Sequence, residues 1–394
     1  MSDHDNIIIP KKELHPNVMK TGWALTGVGL ALAVLSYIVD PHRAVFNNLI
    51  GFTFLASVAV GALFYIALEY IAGAVWSTPF RRIAEFLSAL LPMVLLMAMP
   101  LFFNMHDLFH WTHTEAVEAD AILKSKEPYL NTEFFIIRFA VTMAIWFLFY
   151  FLFRKHSFAQ DTDKDQKHTR TNIKLSAVFI PVFAISISMF AIDWLMSLEP
   201  HWFSTIFGVY YFTGTVVCAL AVITYIMVSL SERGHFFKGI TEDHYYSFGA
   251  LMFGLLSFWA YIAFSQFMLI WYANLPEENF WFIARWENGW EIVSIAMVLL
   301  HFWIPYFMLV SRPSKMNPKN LKRASLLLVF VQILDMYWLV MPTYSKTPVF
   351  SYFEIAFPVL SIGLIILVFA MQAKKYNMVP IGDPKLQRGI DFHL

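Results

Sequence analysis

The residues of this chain that could do chemistry are ionisable groups set inside long apolar runs. Glu69, Asp193, His301 and Asp335 each fall within a stretch of about twenty mostly hydrophobic residues. Glu291 and Glu354 lie near the ends of two more, with Gln266 at similar depth. A charge at the centre of a bilayer costs at least ~2.5–3.5 kcal/mol, so each group must face protein or water. Ordered by depth, Glu69 sits about 12 Å from one edge at ~1.5 Å per residue, His301 is central, and the remaining acids lie toward the opposite side. That is the layout of a proton relay, since burial can bring carboxyl and imidazole groups toward neutral titration. The same groups read equally as neutral, hydrogen-bonded packing residues. Glu85 follows Arg81 and Arg82 by four and three residues, the spacing of a helix-surface ion pair.

His106, His110 and His113 recur at +4 and +3, which would put them on one face if the third span continues as a helix. Such spacing can ligate a metal, but the same residues suit the membrane edge, where amphipathic side chains collect, and no metal is assigned. A bis-histidine haem needs paired histidines on facing helices, and His301 has no partner at its depth. The single cysteine, Cys218, cannot hold an iron–sulfur cluster, and no phosphate-binding glycine fingerprint occurs. The chain therefore carries no redox cofactor of its own, and catalytic residues are not assigned.

The elements that must position these groups are membrane helices. Hydrophobic residues make up 58% of the chain and charged residues only 14%, well outside the usual soluble range. Runs such as Ala44–Leu68, Trp202–Ser231 and Tyr245–Pro276 contain no Lys, Arg, Asp or Glu. A hydrocarbon core takes ~20 helical residues to cross. The periodicity predicts ten spans, at 20–39, 45–76, 83–105, 133–153, 174–197, 204–230, 246–272, 287–311, 324–341 and 350–373. Residues 1–19 and 374–394 then form cytoplasmic N- and C-terminal segments around a membrane domain at 20–373. With both termini inside, 22 of the 28 Lys and Arg fall on inner segments and 6 on outer ones, the asymmetry that sets orientation. Missing one span would invert every later loop. No short apolar core with a small-residue cleavage site occurs in residues 1–19, so a cleaved signal peptide is not expected. The 28 basic and 28 acidic residues balance, so nothing suggests nucleic acid. Among outer segments, 106–132 is acidic and reads as a solvated loop or a docking surface. The expected fold is an all-α integral membrane protein. Spans 2–5 and 6–9 form two parallel four-helix bundles flanked by spans 1 and 10, a duplication echoed by Asp193-Trp194-Leu195 and Asp335-Met336-Tyr337-Trp338-Leu339.

The segment from Ala191 to Thr205, with Asp193-Trp194-Leu195 and Glu199-Pro200-His201-Trp202, carries a resemblance. So does Gly61–Arg82, with Ala67-Leu68-Glu69-Tyr70 and Trp76-Ser77-Thr78-Pro79-Phe80-Arg81-Arg82. Both are similar to the NrfD-like (polysulfide-reductase-type) membrane subunits of alternative complex III, the bacterial quinol:cytochrome c oxidoreductase. The chain most resembles the smaller, ActF-type subunit. The resemblance implies a place in the bacterial inner membrane beside a larger NrfD-like subunit, an iron–sulfur subunit and multi-haem cytochrome c subunits. Haem c and iron–sulfur clusters would belong to those partners, and quinol is the implied ligand of the assembly. On this reading Glu69 loads protons from the inside, His301 lies mid-path, and Asp193, Asp335 and Glu291 lie toward the exit. Glu199 and His201 either serve that exit or hold the outer turn. Two rivals remain, a secondary transporter and a purely structural anchor.

Overall fold

The computed structural model describes residues 14–236 and 240–394. Residues 1–13 of the N-terminal segment, with Lys11 and Lys12, and Lys238 of the orientation argument lie outside the described residues. The described chain is helical throughout, with no strand among the described residues. Ten helices are long and apolar enough to cross a membrane: α1 Pro16–Val39, α2 Pro41–Ala72, α3 Thr78–Phe103, α4 Thr132–Asp163, α5 Gln166–Leu198, α6 Phe207–Glu232, α7 Glu242–Ala273, α8 Trp290–Leu309, α9 Pro318–Tyr344 and α10 Tyr352–Lys375. Each expected span is present. The main departure is at α4 and α5, which run about ten and eight residues past their apolar stretches before turning at Lys164 in the left-handed region. Hydropathy stops where lipid stops; helical hydrogen bonding continues while capping groups such as Asp165 are available.

Position in the bundle follows from which helices are apolar on all sides. The most apolar window of α2 is entirely buried, whereas that of α1 is only 22% buried. Accordingly α2 stands at the centre against α3, α5, α6, α9 and α10, and α6 is the second hub, against α5, α7 and α9. Gly61 lets α2 approach α6 closely, because a Cβ there would collide with Ala219 and the Thr215 carbonyl. Ser57 then bonds the Tyr211 hydroxyl at 3.1 Å across the same seam. The contacts come in matched pairs: α2 packs on α5 as α6 packs on α9, and α4 pairs with α5 as α8 pairs with α9.

Two segments outside the spans are ordered against the helix ends. The acidic stretch after α3 forms short helices at Met105–Leu108, Thr114–Ala119 and Ala121–Lys126. Lys126 Nζ from this stretch donates to the Pro200 carbonyl at 2.5 Å. Beyond α10, residues 376–394 fold back across the opposite end through a short helix at Leu386–Ile390, and the Gly389 carbonyl meets His244 Nε2 at 2.8 Å.

Candidate functional site

Three buried polar clusters hold the ionisable residues. The first is at the end of the bundle where α2 meets α3. Arg81 and Arg82 are adjacent on α3, so they point to different neighbours. Arg81 reaches Glu69 of α2 at 3.0 Å, Glu85 at 3.4 Å and Asp383 of the C-terminal segment at 2.5 Å. Arg82 reaches Glu85 and Asp161 of α4, both at 2.5 Å. Ser157 donates to Glu85 at 2.6 Å. The guanidiniums also stack, Arg81 over Tyr70 at 4.4 Å and Arg82 over Phe158 at 4.1 Å. The pairs of Glu85 with Arg81 and Arg82 form as the spacing predicts. They are not on a surface, however: Glu85 is fully buried and its carboxylate is shared between α3 and α4. Burying charge is offset here because each guanidinium satisfies several acceptors at once. Four carboxyl groups face two guanidiniums, and that imbalance makes the cluster a natural place to hold an exchangeable proton.

The second cluster joins two residues that lie far apart in sequence. His301 Nδ1 is 3.9 Å from Asp335 Oδ2, while Asp335 Oδ1 accepts from the Tyr210 hydroxyl of α6 at 2.6 Å. His301 stacks on Trp259 of α7 with ring centroids 3.6 Å apart. Local backbone chemistry explains its orientation. Pro305 has no N–H to give the His301 carbonyl, and residues Val298–Trp303 relax into a π-turn. Val298, Leu299 and Trp303 stay exposed while His301 is fully buried. Beside this cluster a cavity of about 480 Å³ lies between α7 and α8. Its walls include Trp259, Phe267, Phe302 and Trp338, and its polar groups are Tyr210, Gln266 and Ser294. The Gln266 amide oxygen is buried and has no hydrogen-bond partner among the described residues.

The third cluster is a clamp. Asp193 at the end of α5 accepts from Arg138 of α4 through Nε and Nη2, both at 2.9 Å, and from the Tyr129 hydroxyl at 3.1 Å. Arg138 lies over the rings of Tyr129 and Phe134 at 3.9 and 4.5 Å and gives a further bond to the Tyr129 carbonyl.

The remaining sequence candidates are dispersed. Glu291 accepts from the Gly289 N–H at 2.9 Å and caps the start of its own helix. His201 meets Asp120 at 2.6 Å, joining the outer helices to the α5–α6 turn. Hydrogen bonds from His201 and the Ile122 N–H hold Asp120 below the usual carboxylate range. Glu199 is half-buried and pushed up by burial, with the positive field of Arg285 working the other way. Glu354 accepts from Arg43 Nε and Nη2, at 3.0 and 2.8 Å, and from Asn47 Nδ2. His106, His110 and His113 do not share a helix face, because the helix ends at Leu108 and Phe109 is extended. His113 Nε2 instead meets the His106 carbonyl at 2.9 Å. Among the described residues no group of three His, Cys, Asp or Glu is placed to hold a metal.

Arg285, Tyr210 and Asp383 were not singled out by sequence. Arg285 stacks over Trp281 at 3.4 Å and gives its hydrogen bonds to the carbonyls of Trp281, Trp338 and Leu339. Its loop position hid its burial, and nothing in residues 376–394 marked Asp383 as reaching the helix interior. The chain matches no protein-family profile, and no curated protein matches it significantly.

Proposed function

We propose that this chain is an integral membrane subunit of a quinol-oxidising respiratory complex. In type it is the smaller NrfD-like, ActF-type subunit of alternative complex III in a bacterial inner membrane, with both termini cytoplasmic. The observation that carries the reading is the His301–Asp335–Tyr210 cluster behind an aromatic cavity, with Glu69 in a separate charged cluster nearer one end of the bundle. A carboxyl, an imidazole and a phenol in series are proton-passing groups, and the buried acids of a membrane domain are otherwise hard to account for. The NrfD-like segments around Glu69 and Asp193 supply the redox setting. Larger NrfD-like, iron–sulfur and multi-haem cytochrome c partners would carry the electrons.

The matched helix contacts support two repeated four-helix units, spans 2–5 and 6–9. In the proton scheme Glu69 loads at the basic end and His301 with Asp335 forms the middle. Asp193, Glu291, Glu199 and His201 lie toward the other side. The clamp by Arg138 favours a structural part for Asp193, and this feature also suits the reading of the chain as an anchor.

The test is a mild-detergent affinity purification of the chain from its native membrane, with haem staining, mass spectrometry and a quinol:cytochrome c assay. Co-purification with multi-haem and iron–sulfur proteins and inhibitor-sensitive turnover is the expected result. Recovery without any redox protein under several detergents would overturn the reading and favour the transporter instead.

A further inference from the structure

Helix α7 packs on Ile304–Leu309 of α8, touches Val298–Trp303 more loosely, and parts from Trp290–Met297. The two helices therefore splay toward the end at which α7 finishes, and the cavity of about 480 Å³ occupies the wedge between them. Phe282, from the short helix Pro276–Ile283, forms part of its wall. The volume lies within the range of small-molecule sites, ~300–1,000 Å³. Exposure is graded across the wedge. Trp259, Gln266 and Met297 are at most 5% exposed, whereas Phe264 is 62% and Trp303 44% exposed. The cavity thus opens on an uncovered flank of the bundle, where a component of the membrane can enter between α7 and α8.

Among the described residues no Lys, Arg, His, Asp or Glu lines the wedge, so its walls select a neutral occupant. Two polar groups there are unspent. The Gln266 amide oxygen and the Trp259 indole N–H are both buried and without a hydrogen-bond partner among the described residues. Such groups are costly to leave unpaired. They are seven residues apart on α7 and so share one face. Their spacing is ~10 Å along the helix axis, and one hydrogen bond of ~2.9 Å at each leaves ~5 Å between the two ligand atoms. That is too far for a single hydroxyl or carboxyl group, and it suits two oxygens on opposite sides of a six-membered ring. The Gln266 amide also carries donor hydrogens, so it can pair with a ring carbonyl as well as with a ring hydroxyl. The aromatic walls offer faces on which such a ring can stack.

We propose that this wedge binds the ring of an isoprenoid quinone or quinol, with one ring oxygen at Gln266 and the opposite one at Trp259. The prenyl tail leaves past Phe264 and Trp303 into the surrounding lipid. A fatty acid or a sterol-like alcohol has one polar end and would leave one of the two groups unpaired, and a phospholipid headgroup would bring charge against walls that carry none. The proposal rests on the quinol-oxidising reading for the presence of such a carrier, and adds to it a ring site within this chain.

Photolabelling of the full chain in lipid nanodiscs with an azido-substituted, short-tailed quinone, followed by peptide mapping, tests this. Saturable label is expected on residues 259–267 and 294–303. Unlabelled quinone should remove it, and an analogue with the same tail but no ring oxygens should not. Gln266→Leu loses one hydrogen bond and should raise the half-saturating concentration about fivefold. Ala263→Trp fills the wedge and should abolish the label there, while Phe151→Leu on the exposed side of α4 should leave it unchanged. Label scattered over exposed spans without saturation would overturn the site. So would equal competition by the oxygen-free analogue or by palmitic acid, or wild-type labelling of the Gln266→Leu or Ala263→Trp variant. The competition series needs only the wild type, so it decides the matter even if a variant does not fold. Because the chain is labelled without partners, failure here removes the ring site alone, and the co-purification result still judges the respiratory reading.

Discussion

Replacing Arg138 by Met would test whether the clamp on Asp193 is a structural lock. Arg138 gives three close contacts to Asp193 and one to the Tyr129 carbonyl. Both side chains are at most 5% exposed, so solvent screens the pair little. Removing one partner of a buried ion pair typically costs about 3–5 kcal/mol, because the other charge is left uncompensated. Taking out both, as Arg138→Met with Asp193→Leu, removes the stranded charge. What remains is mainly the loss to the Tyr129 hydroxyl and carbonyl, about 1–3 kcal/mol. The double variant should therefore be more stable than the single Arg138→Met by about 2 kcal/mol. Unfolding of the purified chain by SDS in mixed micelles, followed by tryptophan emission, reads the difference; Trp194 is packed next to the clamp. If the single variant lay within about 1 kcal/mol of wild type, below the usual cost of a broken buried pair, the lock would not exist. A double variant no more stable than the single would exclude it equally. Asp193 would then be free for the exit of the proton scheme.

Other outcomes follow from the remaining clusters. In an assembled complex Glu69→Gln should lower the protons moved per electron, measured with a pH electrode during quinol oxidation; unchanged coupling removes Glu69 from the path. Asp383→Asn takes one carboxylate from Arg81, and a loss of about 1–3 kcal/mol should appear as a lower melting temperature, whereas an unshifted melt would show that the C-terminal segment does not support the cluster. Tyr210→Phe removes the hydroxyl that donates to Asp335 and should cost a similar amount, with Phe207→Leu as a packing control. Asp120 is held below its ordinary value, so the folded state binds its proton less readily than the unfolded chain. Its contribution is present above the usual carboxylate range and is lost as pH falls below ~4. Hydrogen exchange of residues 114–126 should accordingly rise at acid pH in the wild type and already be high at neutral pH in Asp120→Asn.

Much of the membrane architecture was legible because lipid imposes a simple rule on long segments. Ten runs of apolar residues became ten helices, and the charge asymmetry fixed their count. The same rule marks Arg138, since a basic residue inside a span needs a partner, yet sequence cannot say that the partner is Asp193. His301 and Asp335 could be ranked by depth, but their meeting depends on the π-turn ahead of Pro305 and on how α8 and α9 face each other. Glu85 misled for a related reason. An i,i+4 pair looks the same on a surface and in a core, and only the arrival of α4 and Asp383 makes it buried. The histidines after α3 fail as a face because helical spacing means nothing once the helix has ended at Leu108.

The ion pair between Arg81 and Asp383 spans 302 residues of sequence, which sets a timetable for biogenesis. At ~5–20 residues per second, roughly 15–60 s separate the synthesis of the two partners. For that interval Arg81 has Glu69, Glu85 and the Tyr70 ring beside it but not Asp383, and the base of the bundle is not sealed. A nascent chain at this stage has its first helices inserted but an incomplete charge set beneath them. A tag or fusion that delays docking of residues 376–394 would therefore lower the yield of folded protein before it altered any property of the protein that does fold.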